Sequence, residues 1–236
     1  HDQGQTEGLI EYASYGLPID VTSEPQAGAT APVTLAGLLA QQTADIISGI
    51  TLAQLVNPGT PVWYGTCGTI MDLKVGRIAL GAVEAGMINT ASAQIAAFYR
   101  IPSRGTGATT DSKQLDMQAG YEKAITLFMA ALGGINCLFY PGAIEAALTI
   151  SLESLVIDNE ICGMAYRALQ GIEVNADTLA VPIIEAVGPG GNFLGQRHTL
   201  KFLRAEQFMP KLSNRQTRED WTEKAGGKST WEKARD

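Results

Sequence analysis

Residues 18–39 constrain the fold more than any other stretch of this chain. They read Pro18-Ile19-Asp20-Val21-Thr22-Ser23-Glu24, then a run of mostly small residues to Pro32, then an apolar segment from Val33. β-Branched residues between turn formers predict a short strand. The small residues predict a loop. Thr30 or Ala31 as cap, with Pro32 in the first turn, predicts a helix start. In a β–loop–α unit this junction is a place for ligands, because free N–H groups and the positive end of the helix dipole point towards it.

The pattern recurs. Further strands are expected at 61–65, 101–104 and 134–140, and helices at 33–56, 79–99, 112–132 and 152–169. Asp111 and Ser151 are the expected caps of the last two. Four such units of roughly 35–45 residues predict a parallel sheet with right-handed crossovers. Its strands read as apolar on both faces. Four units are half of a (β/α)8 TIM-type barrel, which takes about 250 residues for all eight strands. The expected fold is therefore α/β, either an open sheet or half a barrel, with βα units over 1–175. Residues 176–236 form a helical extension: a helix at 177–187 disturbed by Pro182, a Gly-Pro-Gly-Gly turn, a helix at 196–208 and a charged tail. The tail, with Trp221 and Trp231 as its large anchors, is expected to wrap the surface or make an oligomer contact.

A net charge of −7 argues against non-specific nucleic-acid binding. The run 124–144 is uncharged, but Gly133-Gly134 and Pro141-Gly142 break it, so it reads as a helix end and a strand rather than a membrane span. The chain opens without Met and without a basic or apolar leader, which reads as a processed chain or a piece of a longer one, cytoplasmic in location. Cys67, Cys137 and Cys162 lie far apart, form no CxxC pair, and read as reduced thiols. With only two histidines to join them, no metal site is expected.

The residues expected at the C-terminal strand ends include Trp63, Tyr64, Thr66, Arg104, Asp111, Tyr140 and Glu145. The set has aromatics, carboxylates and one Arg, but no His, Lys or nucleophile–base pair, which excludes simple acyl-transfer and Schiff-base schemes. Trp63 or Tyr64 could face a quaternary ammonium through cation–π attraction; alternation along a strand points them opposite ways, so one packs under a helix. Arg104 could hold a carboxylate bidentately or make a structural ion pair. Asp111 reads as a helix cap as readily as a catalyst. The turn at 188–191 lacks a Walker Lys-Ser/Thr, and His198 reads as structural.

Several stretches resemble the trimethylamine methyltransferase family of corrinoid-dependent methyltransferases, in its C-terminal half. They are 27–37 (Ala-Gly-Ala-Thr-Ala-Pro-Val-Thr-Leu-Ala-Gly), 57–62 (Asn-Pro-Gly-Thr-Pro-Val), 110–120 with Asp111 and Asp116, 156–160 (Val-Ile-Asp-Asn-Glu), 171–175 and 187–196. The resemblance implies a full eight-stranded barrel. It also implies methyl transfer from a methylated amine to the Co(I) of a corrinoid (cobalamin) held by a partner protein, and an oligomer. Founding members carry pyrrolysine, expected here within 71–84; the sequence shows only standard residues, which suggests the branch that includes glycine betaine demethylation. On this reading Trp63, Tyr64, Thr66, Arg104 and Tyr140 bind substrate, and Asp111 and Glu84 are the catalytic carboxylates. The competing reading is a βα protein that binds a betaine-like molecule without turning it over.

Overall fold

The computed structural model describes residues 2–236. Its elements run α1 (Gln3–Ser14), β1 (Ile19–Ser23), β2 (Gln26–Ala27), α2 (Leu35–Val56), β3 (Val62–Thr66), β4 (Thr69–Asp72), β5 (Arg77–Ala79), α3 (Val83–Tyr99), β6 (Ser103–Thr106), α4 (Met117–Leu132), β7 (Cys137–Phe139), β8 (Ala143–Ile144), β9 (Thr149–Ile150) and α5 (Leu152–Leu169). Five short helices follow: α6 (Ala176–Leu179), α7 (Val181–Val187), α8 (Arg197–Glu206), α9 (Arg218–Glu223) and α10 (Thr230–Arg235). No helix among the described residues is long and apolar enough to cross a membrane.

The central sheet has four parallel strands in the order β1-β3-β6-β7. Spatial order follows chain order, so each right-handed crossover steps the same way and lays its helix on the same face. Helices α1 to α5 accordingly pack side by side in one layer. The core lies between them and the sheet: Ile19, Val21 and Tyr64 meet Ile46, Ile50 and Ala96, and Leu127 and Ala131 meet Ile161 and Ala165. The other face of the sheet carries no helix, and no barrel closes among the described residues. The strands are therefore not apolar on both sides. In β1, Ile19 and Val21 are buried while Asp20 and Thr22 stand on the open face.

Two hairpins lie where loops were expected. Strands β4 and β5 pair antiparallel after β3, and β8 and β9 after β7. The expected caps also shift. α2 starts after Thr34, beyond Thr30 and Ala31. α4 starts after Asp116, whose carboxylate accepts from the Ala119 N–H at 3.0 Å, so Asp111 does not cap it. Ser151 does cap α5. The helix expected at 177–187 is two, split at Ala180, which adopts the left-handed conformation before Pro182 enters the next first turn.

Each crossover helix spends one buried polar side chain on the loops at the C-terminal strand ends. In α2, Gln42 accepts from the Thr66 hydroxyl at 2.7 Å. In α3, Asn89 accepts from the Thr106 N–H and donates to its hydroxyl, both at 2.8 Å. In α4, the Lys123 ammonium donates to the Ala108 carbonyl at 2.9 Å, the Ala143 carbonyl at 2.8 Å and Asp158 of α5 at 2.7 Å. Asp158 in turn accepts from the Gly142 N–H at 2.6 Å. Burial pushes the Lys123 amine down and the Asp158 carboxyl up; their mutual attraction opposes both.

The tail is fastened by Glu160. Its carboxylate accepts from the N–H groups of Lys211, Leu212 and Ser213 at 2.6, 2.6 and 2.9 Å, and from the Ser213 hydroxyl at 2.6 Å. Burial works against ionisation, but these donors outweigh it and hold the carboxyl below the usual range. Helix α10 then packs along α5.

Two predictions follow from these anchors. Lys123→Met leaves the buried Asp158 charge unpaired and should cost about 3–5 kcal/mol, read by urea denaturation; Lys123→Met with Asp158→Leu should recover part of that loss. Glu160→Ala should cost about 2–4 kcal/mol at neutral pH. Because the folded pKa of Glu160 is depressed, its contribution is complete above the ordinary glutamate range and is lost as pH falls through the folded value. The wild-type and Glu160→Ala denaturation midpoints should converge in acid.

Candidate functional site

Alternation and register place Asp20, Thr22, Trp63, Gly65 and Arg104 on the open face. Their centre is Arg104. Its Nη1 donates to Asp20 at 2.8 Å and to the Thr22 hydroxyl at 3.1 Å. Both partners belong to β1, one strand beyond β3. The reach is possible because the intervening position is Gly65: a Cβ there would overlap Thr22 Oγ1 and Asp20 Oδ1. Below, the Arg104 guanidinium lies 3.8 Å from the centre of the Phe139 ring. Phe139 packs edge-on against Tyr140, with ring centres 4.7 Å apart. The guanidinium is thus fixed from two sides, and the Arg104 side chain is 15% exposed.

Two further groups complete this face at the strand ends. Cys67 follows β3 and lies close to Tyr140. Burial pushes its thiol up to about 11; nearby Arg104 draws it down, and Glu24 and Asp20 push it further up. At neutral pH it is a thiol, not a thiolate nucleophile. Burial also raises the Tyr140 hydroxyl. Tyr140 has φ 81°, a left-handed backbone that costs a non-glycine residue about 1–3 kcal/mol. Strain of this kind gathers where a side chain must be aimed.

Of the residues singled out in the sequence, Trp63, Arg104 and Tyr140 share this face. Tyr64 and Thr66 do not. Both are fully buried on the helix side, with the Tyr64 hydroxyl 2.9 Å from Thr43 and Thr66 bonded to Gln42. Alternation along β3 that sets Trp63 on the open face sets Tyr64 against the helices. Asp111 lies apart, at the rim. Its two carboxylate oxygens accept from the N–H groups of Leu80 and Gly81 at 2.9 and 3.1 Å, joining the loop after β6 to the end of β5. Burial raises its carboxyl, those N–H groups lower it, and Glu122 raises it. A cavity of about 470 Å³ adjoins it, lined in part by Met71, Arg77, Lys113 and Glu145. Glu84 sits in the first turn of α3, just beyond Gly81. No group of three His, Cys, Asp or Glu side chains able to hold a metal forms among the described residues.

Asp20, Thr22, Gly65, Cys67 and Phe139 were missed by the sequence reading. The signal for two of them was present: polar Asp20 and Thr22 alternate with Ile19 and Val21. A parallel strand with one polar row has one face that no helix covers.

A family model described as trimethylamine methyltransferase matches residues 1–236, the full chain. This chain belongs to the trimethylamine methyltransferase family. It is 40% identical over 222 residues to a glycine betaine methyltransferase of Desulfitobacterium hafniense, covering 94% of this chain and 46% of that protein. It is 42% identical over 228 residues to a trimethylamine methyltransferase of Methanosarcina acetivorans, covering 97% of this chain and 46% of that protein. The chain thus spans about half the length of the curated relatives it matches. For this family member the Arg104 clamp makes a direct prediction. Gly65→Ala should part Arg104 from Asp20 while leaving the helix-side core intact. The melting temperature should change far less than in a Leu127→Ala core control.

Proposed function

We propose that this chain is the C-terminal half of a (β/α)8 methyltransferase that moves a methyl group from a quaternary amine such as glycine betaine to the Co(I) of a corrinoid on a partner protein. Family membership supports the reaction class. The arrangement around Arg104 supports the substrate. The bonds to Asp20 and Thr22 use Nη1, and the rest of the guanidinium fork can meet a substrate carboxylate. Trp63, Phe139 and Tyr140 offer aromatic faces on the same side of the sheet, and Glu24 and Asp20 add negative charge. A zwitterion meets both halves of that pattern; a bare cation would face Arg104 with nothing to offer it.

Reduced cobalt supplies the nucleophile. The tasks left to the protein are to hold the ammonium, aim one methyl group and exclude water. The amine departs with the electron pair of the broken C–N bond, so no general acid is required of these side chains. Asp111 and Glu84 fit supporting roles at the rim, where Asp111 fixes the loops that frame the mouth. In this reading, strands from the other half pair with the free edges of β1 and β7 and close the barrel over the polar face. The free thiols and the Co(I) acceptor both fit the reducing cytoplasm.

Kinetics on the full-length protein test the substrate assignment. Arg104→Met should lower kcat/KM for glycine betaine about 100-fold or more, chiefly through KM, as expected for loss of a bidentate ion pair. Choline, which has no carboxylate, should lose little relative to its own wild-type rate. Trp63→Ala should impair both. Equal losses on the two substrates in Arg104→Met would remove the carboxylate role.

A further inference from the structure

The open face carries two carboxylates in different circumstances. Asp20 is committed: the Arg104 guanidinium holds it at 2.8 Å, and the pair cancels its own charge. Glu24 is not. It follows directly on β1 and is exposed, and among the described residues its carboxylate has no hydrogen bond or ion pair. Alternation carries the row of Asp20 and Thr22 on to Glu24. Beside it on the next strand stands Cys67, whose N–H donates to the Ser23 carbonyl at 3.0 Å. The charge of Glu24 reaches both Cys67 and Tyr140 and raises both, whereas Arg104 lowers both. These two groups therefore lie between a fixed cation and an unpaired anion. The order along the strands is also set. Thr22, Gly65 and Arg104 share one level of the register, and the Arg104 guanidinium leans back from it towards Asp20, away from the strand ends. Glu24 is two residues further on, about 7 Å nearer the mouth.

We infer that Glu24 is the counter-ion of the substrate's ammonium group and sets the polarity of binding: the carboxylate enters first, deep at Arg104, and the methylated nitrogen stays at the mouth beside Glu24. The inference rests on the proposed function and adds to it a division of labour. Asp20 positions Arg104, while Glu24 faces the ligand. Three features favour this polarity. The row projects from the face of the sheet, so in a closed barrel Glu24 points inward rather than along the edge where another strand pairs. A carboxylate left there without a counter-charge loses water and gains nothing in return. Cys67, protonated at neutral pH, adds no competing negative charge at that level. And the group to be transferred has to be presented outward, where an acceptor on another protein can reach it; the reverse polarity would turn the methyl groups towards the barrel floor. A quaternary nitrogen has no N–H to donate, so its contact with Glu24 is a charge–charge attraction across the methyl groups. Such attraction falls off gradually with distance and demands no fixed angle.

The test is equilibrium binding to the full-length protein by calorimetry, without corrinoid, using glycine betaine and tetramethylammonium as probes. Glu24→Gln should weaken both at least about tenfold, and Glu24→Asp should weaken both less. Arg104→Met should weaken glycine betaine far more than tetramethylammonium. The melting temperature of Glu24→Gln should not fall, because no contact within the chain is lost. Wild-type affinity for both probes in Glu24→Gln would overturn the inference and leave the proposed function standing; a lower melting temperature with that result would assign Glu24 to an ion pair with the protein's other half. A loss confined to glycine betaine would also overturn it, since Glu24 would then act through Arg104. Failure of the wild type to bind glycine betaine at all would overturn the proposed function and this inference together.

Discussion

The arrangement depends most on the buried ion pair of Lys123 and Asp158. A charged pair with relative side-chain exposures of 1% and 0% is an expensive way to gain stability. Its value here is positional. One ammonium holds the carbonyls of Ala108 and Ala143, and one carboxylate holds the Gly142 N–H, so the loops after β6 and β7 are tied to each other through two helices. Gln42 and Asn89 do the same, one helix earlier each, for the ends of β3 and β6. The result is a rigid mouth made from short strands. Phe139 and Tyr140 owe their placement to the loop that Asp158 secures, and the Arg104 guanidinium owes its placement to Phe139.

The open face leaves one side of a parallel sheet to polar side chains. Hydrophobic burial under α2 to α5 supplies the cohesion, through Tyr64, Ile46, Leu127 and their neighbours. That leaves Asp20, Thr22, Trp63 and Arg104 free of packing duty. The cross-strand reach from Asp20 to Arg104 over Gly65 couples strands that are not adjacent, so the site is a property of the assembled sheet rather than of any one loop.

Much of this was legible in the sequence. Strand–loop–helix punctuation located the four main strands and the helices between them, because Pro, Gly and β-branched residues act locally. Arg104, Trp63 and Tyr140 were singled out because strand ends are where side chains are free, and the structure places them on one face of the sheet. What could not be read was direction and reach. Tyr64 and Thr66 looked equivalent to Trp63 until alternation was fixed by register. Asp111 looked like the cap of α4 because a capping carboxylate and a long-range one have the same local sequence; only the fold brings the Leu80 and Gly81 N–H groups to it. The partnership of Asp20 with Arg104 spans most of the sheet and leaves no mark in either segment alone. The hairpins β4–β5 and β8–β9 were missed because their strands are only two to four residues long.

In the proposed function this face holds a zwitterionic quaternary amine for methyl transfer to cobalt. The most direct measurement mixes the full-length protein with a reduced Co(I) corrinoid protein and follows visible absorbance as single amines are added. Conversion to methyl-Co(III) is expected with glycine betaine, slower conversion with choline, and slower conversion or none with trimethylamine. Conversion with trimethylamine alone, or tight binding of glycine betaine with no change at cobalt, would contradict the proposed function.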